Sequence, residues 1–147
     1  MPNTRTAGIV TAALALWVWA ACGESTGPAG APAQSLISQP TRVVVHFGQE
    51  VQVEGSVLRL SFVRVLEDSR CPADVTCVWE GNARVEVGIA AGMGPTFPLQ
   101  LNTAIAPKFA EWRGVRVTLL DVRPYPTSRQ PIPSDEYTIE LEVAPAS

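Results

Sequence analysis

A chain of 147 residues holds one domain and little besides. Its formal net charge of −3 and isoelectric point near 5.1 argue against a nucleic-acid partner, which requires a basic face. Thirteen prolines and eleven glycines suit turns and short strands better than helices, and nothing repeats at a fixed period.

Met1 to Gly8 carries Arg5 and the amino terminus, and Ile9 to Ala21 follows without a charge. That run has the length of a secretory signal's apolar core and is short of the ~20 residues that span a bilayer as a helix. It ends in Trp19-Ala20-Ala21-Cys22-Gly23, which resembles the lipobox of bacterial lipoproteins, where a cysteine is lipidated and becomes the new N-terminus. Ala20 and Ala21 fit that pattern, and Trp19 stands where it usually has an aliphatic residue. Residues 1–21 are therefore expected to be a signal peptide, with Cys22 as the lipidation site. Ordinary cleavage after Ala31-Pro32-Ala33 is the alternative.

From Gly23 to Gln39 the chain is Gly, Ser, Thr, Pro, Ala and Gln, with one charge, Glu24, and one apolar pair, Leu36-Ile37. Such a composition cannot offset its own ordering entropy, so residues 22–40 are expected to form a flexible tether with a reach of roughly 25 Å. Loss of residues 1–21 removes only Arg5 and leaves ten basic residues against fourteen acidic. Membrane attachment would then rest on lipid rather than on a basic patch.

Residues 41–147 alternate with period two. Val43, Val45 and Phe47 share a face, and Val51 and Val53 follow a break at Gly48. Leu58, Leu60 and Phe62 share the next face, but the apolar positions then move to Val63 and Val65. That change of parity predicts a β-bulge or a change of sheet. Val85, Val87 and Ile89 alternate with Arg84 and Glu86. Phe97, Leu99 and Leu101 follow, with Pro98 marking an edge strand. Val115, Val117 and Leu119 come next, then Tyr137, Ile139, Leu141 and Val143. About seven strands at this spacing predict an all-β antiparallel sandwich or small barrel. Lys108 to Trp112 is the one place for a helical turn. The series Pro124, Pro126, Pro131 and Pro133 predicts a long return connection of Greek-key type. Within it Arg123-Pro124-Tyr125 reads as a rigid crossover or as a recognition loop.

The stretch Glu67 to Gly81 carries the two cysteines that lipidation at Cys22 would leave unmodified in a mature product. Cys71 and Cys77 bracket five residues, and in an exported chain such a pair predicts a disulfide. A redox site usually has two residues between its cysteines, and a zinc site needs four ligands, whereas the single histidine, His46, lies far off in sequence. No metal and no cofactor are expected. Trp79 shares parity with Gly81, Ala83, Val85 and Val87, so a strand continuous from Cys77 would pack it on the core, with Gly81 and Ala83 leaving room. The alternative is an exposed aromatic for sugar or protein binding. Arg70 stands among Glu67, Asp68, Asp74 and Glu80, which predicts a local ion-pair set that pins the loop. Those carboxylates lack the spacing of a calcium loop.

Asp68-Ser69-Arg70-Cys71-Pro72, with Cys77, Trp79 and Gly81, resembles a motif of small uncharacterised bacterial lipoproteins. Their β-domain ends in a Pro-Tyr-Pro segment and a Tyr-initiated strand, here Pro124-Tyr125-Pro126 and Tyr137 to Val143. The resemblance implies an architecture and carries no activity with it. The expected function is a non-enzymatic binding or envelope-structural module, lipid-anchored in the bacterial cell envelope. In a diderm, Gly23 after the cysteine favours the outer membrane. An envelope protein or a glycan is the expected partner, met through Arg70, Asp74, Trp79, Glu80, Arg123 and Tyr125. The alternatives are a protease-inhibitor-like Ig-type module using Arg123-Pro124-Tyr125, and a small hydrolase working through carboxylates near the insert.

Overall fold

The structure is a computed structural model, described here for residues 36–146; the expected signal peptide and the expected lipidation site Cys22 lie outside the described residues. Eight strands follow one another: β1 (Thr41–His46), β2 (Glu50–Gln52), β3 (Leu58–Asp68), β4 (Ala83–Ala91), β5 (Phe97–Asn102), β6 (Phe109–Trp112), β7 (Val115–Arg123) and β8 (Thr138–Pro145). They form two four-stranded antiparallel sheets, ordered β1-β8-β7-β6 and β2-β3-β4-β5, which stay open as a sandwich. The one helical piece among the described residues is a 3-10 turn at Ser134–Glu136.

Alternation does what the period predicts. Leu58, Leu60 and Phe62 of β3, Val85, Val87 and Ile89 of β4, and Ile139, Leu141 and Val143 of β8 are all buried in one core. Phe47, at the corner where the chain crosses between sheets, meets Phe62 edge to face at 5.7 Å. The corner is pinned by Phe47 N–H donating to the Tyr137 carbonyl and Gly48 N–H to the Phe62 carbonyl, both at 2.9 Å.

The parity change in β3 is a bulge. The register slips between Phe62 and Arg64, and again between Val65 and Glu67. Two extra residues restore the original parity, so Asp68, opposite the buried Ala83, points inward at the end of the sandwich. That second slip is what brings a carboxylate between the sheets.

Three expectations need correction. Lys108 to Trp112 makes no helical turn: β6 pairs with β7 through the two-residue turn Arg113-Gly114, at φ of 49° and 78°. Paired positive φ values match the twist of a tight hairpin, and that turn places the short strand. The proline series joins β7 to β8, which are neighbours in one sheet, so it is a long hairpin connection rather than a return crossover; the non-consecutive pairing is β1 with β8. The packed β-domain also takes in residues before Thr41. Ile37 is buried in the core with Leu36 packed beside it, because that apolar pair finds the open end of the hydrophobic layer.

Candidate functional site

The insert, residues 69–82, leaves β3 and returns to β4 as a narrow hairpin. Ser69 N–H donates to the Asn82 carbonyl at 2.8 Å and Cys71 N–H to the Glu80 carbonyl at 2.9 Å. Between them Gly81 takes φ +73°, and a Cβ there would lie 2.0 Å from the Ser69 carbonyl oxygen. Only glycine fits this crossing. The Cys71 and Cys77 sulfurs lie 2.15 Å apart, at disulfide distance, and close the tip.

The base of the insert is tied to the opposite sheet by Arg70, which is buried. Its guanidinium donates to Asp68 Oδ1 at 2.8 Å and Oδ2 at 2.6 Å, to the Pro124 carbonyl at 2.9 Å, and through Nη1 to the Val122 carbonyl. The Tyr125 ring sits 4.8 Å over the same group. Asp68 also accepts from the Tyr137 hydroxyl at 2.9 Å. Burial pushes the Asp68 carboxyl up, but the Arg70 hydrogen bonds and charge, with the Tyr137 bond, outweigh it and hold the carboxyl below its ordinary value. Burial, and then the hydrogen bond to Asp68, push Tyr137 up to about 12.

This corrects the expected ion-pair set. Arg70 pairs with Asp68, while Glu67 faces Arg84 across the strands at 3.8 Å. Asp74 turns outward to the proline connection, accepting from Ser128 N–H at 2.7 Å and its hydroxyl at 2.6 Å. The Ser128 bonds hold the Asp74 carboxyl low. Ala73 N–H adds a bond to the Pro126 carbonyl at 2.9 Å. A carboxyl held low is a poor proton donor, so neither Asp68 nor Asp74 suits the general-acid role of glycoside hydrolysis. Arg123 pairs with Asp121 at 2.9 Å and lies 6.0 Å from the Tyr125 ring. Glu80, exposed, lines a cavity of about 180 Å³ with Arg70, Thr103, Asp121 and Tyr125.

Trp79 is not in the core. It is 60% exposed, because β4 starts at Ala83 and the turn at Gly81 cuts the parity that the sequence count carries back to Trp79. The indole forms one wall of a groove of about 300 Å³ on the outer face of the β3-β4-β5 sheet. Ile105, Ala106 and Pro107 line it as well, with the polar residues Glu67, Arg84, Gln100, Asn82 and Asn102. Asn82 Nδ2 donates to Asn102 Oδ1 at 2.9 Å, Asn102 Nδ2 to the Pro107 carbonyl at 3.2 Å, and Ala104 N–H to Asn82 Oδ1 at 3.1 Å. These amides hold residues 104–107 in place.

The sequence-predicted residues thus separate. Arg70, Asp74, Cys71 and Cys77 build the support, Tyr125 and Glu80 edge a smaller cavity, Arg123 pairs with Asp121 outside its lining, and of the predicted residues Trp79 alone lines the groove. Arg84, Gln100, Asn82 and Asn102 were not singled out; their outward parity in β4 and β5 was legible, but not their convergence on Trp79. No family model matches this chain, and no curated protein or solved structure matches it either.

Proposed function

We propose that this protein is a lipid-anchored module of the bacterial cell envelope that binds a partner without catalysis, through the groove beside Trp79. The likeness of the Cys71–Cys77 segment to small bacterial lipoproteins, and of Trp19 to Gly23 to a lipobox, supports the anchoring. The single observation that carries the binding reading is a large aromatic side chain left 60% exposed on a support fastened at several points. An exposed indole on a rigid base is ready to bind, because little side-chain or loop freedom remains to be lost.

The direction of β1 supports the same reading. Thr41 lies opposite Val143, and His46 lies opposite Thr138, whose neighbour Arg123 is at the insert end. The chain therefore enters β1 roughly 17 Å of strand away from the insert, which leaves the groove clear of the point where β1 begins. Lipid-free protein beginning at Gly23 should capture an envelope component that Trp79→Ala, equally folded, does not. Equal capture by the two would overturn the assignment of the groove.

A further inference from the structure

Resting on that reading of the groove, we propose that its ligand is a neutral pyranose chain, stacked on Trp79 and hydrogen-bonded to the polar residues of β4 and β5 that line it.

A pyranose ring presents C–H groups on its faces and hydroxyls around its edge. It therefore asks for an apolar plate at the face and planar polar groups at the rim. The groove supplies both. Trp79 is an exposed apolar plate, and Ile105 and Pro107 add apolar surface to the same lining. Gln100 lines the groove with a side-chain amide that has no hydrogen-bond partner among the described residues, so it is available both to donate and to accept.

Charge decides between neutral and ionic sugars. The one cation lining the groove is Arg84, and it stands 3.8 Å from Glu67, both about half exposed. The pair cancels to zero, and at that distance each partner can still take a hydroxyl. An anionic glycan would find no uncompensated positive charge there. A cation would find no uncompensated carboxylate.

Shape decides against a protein partner as the primary ligand. About 300 Å³ is at the small end of the ~300–1,000 Å³ range of small-molecule sites, a local hollow rather than a broad flat patch. The Asn82–Asn102 bond and the bonds to Ala104 and Pro107 fix residues 104–107 within the lining, so little loop ordering is left for a ligand to impose.

The test is titration of the lipid-free chain with tetrasaccharides of β-linked glucose, β-linked N-acetylglucosamine and α-linked glucose, with an oligogalacturonate as the anionic control. Calorimetry and tryptophan emission are the readouts. A neutral tetrasaccharide should bind saturably and shift the emission to the blue, while the galacturonate should not. Trp79→Ala should weaken binding by about tenfold, the size of one aromatic contact, and Trp79→Tyr should bind within about threefold of wild type. Gln100→Ala should weaken it by about three- to tenfold, the size of one neutral hydrogen bond. Saturable binding that Trp79→Ala leaves intact overturns both the sugar site and the groove reading. Absence of neutral-sugar binding, with Trp79→Ala still losing its envelope component, overturns the sugar and leaves the groove. Preference for the galacturonate overturns the neutral assignment.

Discussion

The Tyr137 hydroxyl donates to Asp68 Oδ2 at 2.9 Å, joining the start of β8 to the end of β3 in the opposite sheet, 69 residues away in sequence. Arg70 completes the junction with bonds to Asp68 and to the carbonyls of Val122 and Pro124. The side chains of Arg70 and Asp68 are only 5% and 9% exposed. Removing one partner strands the other charge, so Asp68→Asn should lower stability by about 3–5 kcal/mol in urea unfolding. Tyr137→Phe should cost about 1.5–3 kcal/mol, as for a hydrogen bond to a charged acceptor. A loss below 1 kcal/mol for Asp68→Asn would show that the junction is not a structural tie.

The same junction sets the pH dependence. Asp68 is held below its ordinary value, so its stabilisation is present above about pH 4 and is lost as pH falls through the lowered folded value. Tyr137 is raised from 10.0 to about 12, so its contribution is present below pH 10 and is lost as pH climbs from there to about 12. Urea midpoints measured across both ranges should fall at each end. Tyr137→Phe should flatten the alkaline limb; an unchanged limb would assign it to other groups.

Gly81 and Trp79 should respond oppositely to alanine. Gly48→Ala meets nothing within 4 Å and should cost only the backbone term of about 1–2 kcal/mol. Gly81→Ala carries that term plus the approach to the Ser69 carbonyl and should cost distinctly more. Trp79→Ala should stay within about 0.5 kcal/mol of wild type, as surface changes do. A large loss for Trp79→Ala would return that ring to the core.

Cys71→Ser with Cys77→Ser opens a loop with a sequence separation of 6. Chain entropy predicts a loss of about 2–4 kcal/mol with the β-spectrum retained, since the core lies between the sheets and not at the insert. The double variant should still fold but show faster amide exchange at Ala73 and Ser128, whose N–H groups bond across the insert and the proline connection. Unchanged exchange at both would separate the bridge from that clasp.

Anchoring is tested at Cys22. The full-length protein should partition into detergent and label with palmitate, and Cys22→Ser should do neither. Labelling that survives the substitution sinks the lipid anchor.

Period-two alternation was enough to place Tyr137, Ile139, Leu141 and Val143 inward and to read a bulge after Phe62. In a strand the side-chain direction follows from the backbone of neighbouring residues alone. Pro98 likewise marked β5 as an edge, for want of a backbone donor. What the sequence could not decide depended on contacts between distant segments. The parity count carried Trp79 into the core because it assumed an unbroken strand. Gly81, fitted against Ser69, ends that strand and turns the indole to solvent. Arg70 had four acidic neighbours in sequence, and the second slip in β3 chose Asp68 by turning it between the sheets. The proline series looked too long for a hairpin until β7 and β8 paired and its carbonyls met Arg70 and Ala73. Gln100 and Arg84 became neighbours of Trp79 only when β4 and β5 lay side by side, because a groove between strands is set by register and not by residue type.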